Sequence, residues 1–96
     1  MKPSRALDTH RQAVIAAVHR HKAENARVFG SVARGTDNDE SDIDILVDAL
    51  PGATLFDLGG LQIELEELLG VRTDVSTPGD LPEYMRGSVL AEARAL

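Results

Sequence analysis

The stretch that decides the fold is 30–44, which reads GSVARGTDNDESDID. A glycine and a serine open it, and two aspartates separated by one residue close it. It lies between two apolar segments, ARVFG (26–30) and DIDILVD (42–48), and the second is rich in the β-branched residues that favour strands. The pattern predicts a polar, turn-rich connection between two strands, with one helical turn as an alternative for its start.

The remaining elements follow from apolar spacing and from capping residues. Three helices are predicted, over 5–22, 55–69 and 82–96, with a short extended end at 93–96 as an alternative for the last. Thr54 is the candidate N-cap of the second helix, and Gly70 would end it. Its apolar face should hold six leucines: Leu55, Leu58, Leu61, Leu65, Leu68 and Leu69. Three strands are predicted, over 26–30, 42–48 and 71–77. The mixture predicts one domain (1–96) of the α/β or α+β class, in which helices flank a small mixed β-sheet.

The composition argues against several classes of function. The chain has 96 residues, a net charge of −6 and no cysteine, so neither a disulfide nor a thiolate metal site is available. An acidic domain is a poor general binder of nucleic-acid phosphates, which clustered Lys and Arg usually hold. No apolar run approaches the roughly 20 residues that span a bilayer, and the N-terminus MKPSRALDTHRQ lacks the apolar region of a secretory signal. We therefore expect a soluble, cytoplasmic protein that binds neither nucleic acid directly nor a membrane.

Asp42 and Asp44 are the first candidate site residues. Alternate side chains of a strand share a face, so the two carboxylates should point the same way with Cα atoms roughly 6.5–7 Å apart. Paired carboxylates repel each other unless a cation lies between them, and Mg²⁺ prefers such oxygen ligands together with substrate phosphates. The pair indicates a magnesium platform. The alternative is an edge strand whose outer face is solvated.

Gly30, Ser31 and Arg34 are candidate phosphate-binding residues. A glycine lets the backbone approach a ligand closely, and the amides that follow it, with the Ser31 hydroxyl, can donate to phosphate oxygens. Gly35 adds a second flexible point, and Arg34 could contact phosphate or the acidic cluster. The alternatives are a plain turn for Gly30–Ser31 and a surface ion pair for Arg34.

Asp74 is the third candidate carboxylate, because a charge in the middle of the predicted strand 71–77 is unexpected if that strand is central. If this strand pairs beside 42–48, Asp74 lies next to Asp42 and Asp44, and three carboxylates converge on one cation site. The alternative is an exposed aspartate on an edge strand. The other acidic residues of the run, Asp37, Asp39 and Glu40, are interpreted as solvated loop charges.

The combined pattern resembles a known family. Gly30-Ser31, ten intervening residues, Asp42-Ile43-Asp44 and a later strand aspartate are similar to the nucleotidyltransferase fold of the DNA polymerase β superfamily. The string GSVARG…SDIDILV resembles the minimal nucleotidyltransferases (MNT) of bacteria and archaea over residues 26–92. The resemblance implies that Gly30 and Ser31 bind a triphosphate and that Asp42 and Asp44 ligate two Mg²⁺ ions. Asp74 would be a third ligand that helps to activate the attacking hydroxyl.

The resemblance also implies a reaction and a partner. A nucleoside monophosphate would be transferred from a triphosphate such as ATP, with pyrophosphate leaving. Proteins of the MNT family are typically paired with a HEPN-domain ribonuclease toxin and act as antitoxins by adding AMP to a toxin tyrosine. Two alternatives remain open at this point: an antitoxin that masks its partner by contact alone, and a transferase for a small molecule, for which a homo-oligomer could complete the pocket.

Overall fold

The computed structural model describes all residues, 1–96, in five α-helices, one 3-10 turn, four strands and the loops that connect them. The helices are α1 (Pro3–Thr9), α2 (Arg11–Arg20), α3 (Gly30–Arg34), α4 (Leu55–Leu69) and α5 (Glu83–Glu92), with one 3-10 turn at Pro78–Asp80. The strands are β1 (Ala23–Phe29), β2 (Ile43–Ala49), β3 (Thr73–Ser76) and β4 (Arg94–Ala95). None of the helices has the length and apolar character that crossing a membrane would require.

The four strands form one mixed sheet in the order β3-β2-β1-β4. β1 pairs antiparallel with β2 and with β4, and β2 pairs parallel with β3. A parallel pair needs a crossover connection, which α4 supplies between β2 and β3. The predicted small mixed sheet with flanking helices is therefore confirmed.

β2 is one of the two inner strands, and it contributes buried apolar side chains to both faces of the sheet. Ile43, Ile45 and Val47 point to a large apolar cluster that also contains residues of α2 and α4. Leu46 points the opposite way, into a small cluster with Val89 of α5. The helices α2 and α4 thus cover one face of the sheet, and α5 covers the other.

α4 begins and ends where the sequence predicts. Thr54 and Asp57 form a capping box at its start, and Gly70 ends it in the left-handed conformation with φ 67°. Leu61, Leu65 and Leu69, one turn apart, are buried against the sheet. The prediction that Leu55 belongs to this apolar face is wrong, since its side chain is 81% exposed in the first turn, beyond the edge of the core.

The strands predicted at 42–48 and 71–77 are present as β2 and β3 with ends shifted by one or two residues, and three other elements differ more. The predicted helix 5–22 breaks at His10 into α1 and α2, although no proline or glycine signals the break. β1 begins at Ala23, three residues early, and an irregularity in its pairing between Glu24 and Arg27 accommodates Asn25 at φ 53°. The last helix ends at Glu92, and the short extended end is confirmed as β4.

Candidate active site

The strand register brings Asp44 and Asp74 together. Across the parallel pair of β2 and β3, Asp44 is the partner of Asp74, so the strand pairing that the sequence left conditional is present. Asp44 shares its face of β2 with Leu46, toward α5, while Ile43 and Ile45 point into the opposite core. Asp42 immediately precedes β2 and is 42% exposed at its side chain. The three candidate carboxylates therefore lie at one end of the sheet, toward solvent.

The electrostatic surroundings of Asp44 disfavour its charge. Burial raises the pKa of Asp44 to about 6, and the neighbouring carboxylates of Asp74 and Asp42 contribute to the rise, while Arg34 opposes it. A cation bound among these carboxylates would relieve both the desolvation and the repulsion. The donor set, oxygen atoms only, is the one that Mg²⁺ prefers.

The side chains do not form a closed ligand set in this structure. No group of three or more His, Asp or Glu side chains is arranged so that it could hold a metal ion. The strand register places Asp44 beside Asp74, and Asp42 directly precedes β2. The carboxylate oxygens of the three residues nevertheless do not converge as expected. Like charges favour separation, and the Asp42 carboxylate lies 3.9 Å from Nε of Arg72.

Gly30 forms the turn between β1 and α3, directly beside Asp44. Its φ of 72° lies in the left-handed region that favours glycine. A Cβ atom at this position would overlap the carboxylate oxygen Oδ2 of Asp44. The absence of a side chain at Gly30 therefore lets the backbone approach Asp44 closely. The sequence analysis predicts such a close approach only for a ligand. Ser31 follows in the first turn of α3, so the predicted phosphate-binding turn and the carboxylates are neighbours.

Arg34 makes an ion pair with Glu92, at the end of α5. Its Nη1 donates to Oε2 of Glu92 at 2.9 Å and to Oε1 at 3.3 Å. The backbone N–H of Gly30 donates to the same Oε1 at 3.0 Å. These hydrogen bonds, first from Gly30 and then from Arg34, hold the pKa of Glu92 below its ordinary value. The ion-pair alternative for Arg34 is thus present, with a partner that sequence reasoning missed.

The prediction that Asp37 is a solvated loop charge is wrong. The residue is buried, and its Oδ2 accepts the backbone N–H of Ser4 at 2.9 Å. Burial acts to raise the pKa of Asp37, but hydrogen bonds from Ser4 and from its own backbone, with the charge of Lys2, together hold the pKa below its ordinary value. Asp37 therefore fastens the start of α1 to the loop before β2. Asp39 and Glu40 are exposed, as predicted.

The carboxylates lie on an open surface. The largest surface cavity is elsewhere, at the start of α1, and is lined by Met1, Lys2, Ser4, Arg5, Asp8 and Thr9. None of the cavities of the molecule is lined by Asp42, Asp44 or Asp74. A ligand at these residues would be bound from one side and would remain accessible to a second molecule.

A glycine-serine turn beside strand carboxylates, on a small mixed sheet, is the arrangement that the sequence resemblance predicts for a nucleotidyl-transferring enzyme. The family model described as "Nucleotidyltransferase domain" matches residues 11–96. The chain therefore belongs to the nucleotidyltransferase family, and it is a nucleotidyltransferase of the MNT type, as the sequence resemblance predicted.

Relatives and solved structures agree with this membership. The chain is 40% identical over 80 residues to "Putative protein adenylyltransferase MJ0435" of Methanocaldococcus jannaschii, which covers 83% of this chain and 86% of the relative. It is 40% identical over 65 residues to "Protein adenylyltransferase MntA" of Thermococcus cleftensis (68% and 66%). A solved "putative minimal nucleotidyltransferase" superposes with a TM-score of 0.83 at 42% identity, covering 97% and 93% of the two chains. A toxin-antitoxin crystal structure with AMP-PNP has the same fold, with a TM-score of 0.75 at 22% identity and coverage of 88% and 69%.

Proposed function

We propose that this chain transfers AMP from ATP to a hydroxyl of a partner protein, a tyrosine of a HEPN-domain toxin, and thereby acts as its antitoxin. The observation that carries the proposal is the position of Asp44, which lies opposite Asp74 and against the turn at Gly30. Two relatives that carry the name protein adenylyltransferase support the choice of AMP and of a protein acceptor. The fold shared with a toxin-antitoxin complex supports the choice of partner.

The acidic residues fit divalent metal ions. Asp42, Asp44 and Asp74 would hold two Mg²⁺ ions, because their oxygens suit this metal and a cation would offset the burial and the neighbouring carboxylates that raise the pKa of Asp44. When bound, such ions neutralise charge on the triphosphate and favour in-line displacement.

The triphosphate would be bound by the turn next to these carboxylates. The Ser31 hydroxyl and the amides at the start of α3 donate to phosphate oxygens, and Arg34 adds a positive charge one helical turn further on. Arg34 is 54% exposed at its side chain, so a phosphate can reach it.

The reaction exchanges one phosphorus–oxygen bond for another. The acceptor oxygen forms a bond to the α-phosphorus, the bond from that phosphorus to the bridging oxygen breaks, and pyrophosphate leaves. Asp74, beside Asp44 on the edge strand β3, orients the acceptor hydroxyl and takes its proton at a carboxylate oxygen. Positioning and charge neutralisation supply most of the rate in this class of reaction.

The open surface around the carboxylates suits an acceptor that is carried on another macromolecule. The chain offers few aromatic side chains on which nucleic-acid bases could stack. Phe29 is buried, and Phe56 and Tyr84 lie on α4 and α5. One observation favours a second candidate, neutralisation of the partner by contact alone. Leu55, Phe56 and Ile63 expose apolar side chains on α4, and such a group is typical of a docking surface.

Co-expression with the HEPN partner separates the two candidates. We expect the partner to be inactive and to carry the mass of one or more AMP units with the native chain. With Asp44→Ala, the partner should be unmodified and active. Asp39→Ala, in the exposed loop, is the matched control and should behave as the native chain does. An inactive but unmodified partner would favour neutralisation by contact.

A further inference from the structure

Glu92 connects the end of α5 to both ends of α3. One of its carboxylate oxygens, Oε1, accepts the backbone N–H of Gly30 at the first residue of α3. Both oxygens accept from Nη1 of Arg34 at the last residue of that helix. A single side chain, 62 residues away along the chain from Gly30, thus restrains the two residues between which the triphosphate would bind.

The geometry leaves most of Arg34 available to a ligand. The hydrogen bonds from Arg34 to Glu92 are made by Nη1 alone, and Nε and Nη2 do not take part in them. Glu92 is 27% exposed at its side chain and Arg34 is 54% exposed, so the carboxylate is the more buried partner. A guanidinium that is held at one nitrogen loses less rotational freedom when its other nitrogens bind a phosphate.

Anchoring of α5 does not depend on Glu92. Val89, one turn earlier, is buried with Leu46 and Phe29 in the small apolar cluster. After the helix, β4 pairs with β1, with Arg94 opposite Val28 and Ala95 opposite Arg27. An ion pair as exposed as that of Arg34 and Glu92 contributes little to stability. A role for this contact in placing ligand-binding groups explains it better than a role in folding.

We propose that Glu92 is a positioning residue for the triphosphate: it holds the Gly30 turn and the Arg34 guanidinium in the arrangement that binds ATP. The inference rests on the proposed function, because it assigns the triphosphate to Gly30, Ser31 and Arg34. Glu92 itself contacts neither the nucleotide nor the acceptor and acts through these two residues.

Two substitutions separate the two contacts. Glu92→Gln keeps a carbonyl oxygen for the Gly30 N–H but loses the charge that holds Arg34, and Glu92→Ala loses both. Glu83→Gln is the matched control, an exposed carboxylate at the start of the same helix. For each variant we would measure kcat and KM for ATP in AMP transfer to the partner, the affinity for a fluorescent ATP analogue, and the thermal midpoint.

We expect Glu92→Gln to raise KM for ATP and the dissociation constant of the analogue about threefold to tenfold, the effect of having to order one long side chain on binding. Its kcat should stay within about twofold of the native value, and its thermal midpoint should be unchanged. Glu92→Ala should weaken binding further. In the Arg34→Ala background, Glu92→Gln should add nothing, because it acts through Arg34.

Opposite results overturn the inference. Native ATP affinity in both Glu92 variants would overturn it while leaving the proposed transfer intact. Loss of stability in Glu92→Gln with an unchanged KM would assign Glu92 to folding instead. If the native chain itself neither binds the analogue nor transfers AMP, the proposed function fails first, and the inference fails with it.

Discussion

Asp44 lies opposite Asp74 across the parallel strands β2 and β3, and its carboxylate lies against the backbone of Gly30. Three segments that are distant along the chain thus meet at one carboxylate. The parallel register requires the α4 crossover, and the contact with Gly30 requires a residue without a side chain. The site is consequently a product of the fold as a whole and not of the 30–44 stretch alone.

Gly30→Ala should disturb this meeting point more than the same change at Gly35. φ is 72° at Gly30 and 75° at Gly35. An alanine at either position therefore carries a backbone cost of roughly 1–2 kcal/mol. Only at position 30 does the added Cβ overlap Asp44, since nothing lies within 4 Å of a Cβ at position 35. Denaturant unfolding should show a larger loss of stability for Gly30→Ala, and AMP transfer should fall with it. Equal losses for both variants would contradict the packing of Gly30 against Asp44.

Asp37→Ala should destabilise the protein by about 1 kcal/mol, the usual effect of losing a side-chain acceptor for a backbone N–H at a helix start. Asp39→Ala, two residues away and exposed, should have no measurable effect on the free energy of unfolding. Because the pKa of Asp37 is lowered by folding, its contribution should be present at neutral pH and lost as the pH falls through that lowered pKa. A stability difference between the native protein and Asp37→Ala that does not diminish in acid would contradict this assignment.

Asp44→Asn should stabilise the metal-free protein at neutral pH. Folding raises the pKa of Asp44 to about 6. Above that pH the carboxylate is charged and destabilises the fold, whereas below it the carboxyl group is neutral and the destabilisation is lost. Allowing for solvent screening, we expect a gain of about 1–2 kcal/mol at pH 7.5 that disappears near pH 4. Asp48→Asn on the same strand should act oppositely, because hydrogen bonds from Asn25 and Arg27 lower the pKa of Asp48. A loss of stability in Asp44→Asn at pH 7.5 would show that its carboxylate is not under repulsion.

Magnesium should stabilise the native protein and not Asp44→Asn. A ligand that binds only the folded state raises the thermal midpoint as its concentration exceeds its dissociation constant. Thermal unfolding over a series of MgCl₂ concentrations, with ATP present, would measure this difference. A similar rise in the Asp44→Asn variant would place the metal ions at other residues.

Much of the fold and most of the candidate site were predictable from local patterns. The alternation of Asp42 and Asp44 with Ile43 and Ile45 fixes which side chains share a face, and the cap at Thr54 and the stop at Gly70 bound α4. Each of these signals lies within a few residues of the structural feature that it determines. The pairing of Asp44 with Asp74 could be predicted only on the assumption that their strands are neighbours, because the residues of a strand do not specify which strand pairs with it.

The roles of Asp37 and Glu92 were not predictable, because their partners are 33 and 62 residues away along the chain. An acidic loop residue and a glutamate at a helix end have the composition of solvated positions. Only the folded backbone shows that each of them accepts a hydrogen bond from a main-chain N–H group. The break at His10 has no strong local signal, since Asp8, Thr9 and His10 have only modestly low helical propensities and no proline or glycine is present.

The central claim is tested most directly by AMP transfer between purified components. The chain, its HEPN partner, ATP and Mg²⁺ would be incubated together, and the partner would then be analysed by intact and peptide mass spectrometry. We predict an AMP adduct on a partner tyrosine with the native chain and with Asp39→Asn, and none with Asp44→Asn or Asp74→Asn. Full modification of the partner by both of the latter variants, or no modification by the native chain, would contradict the account.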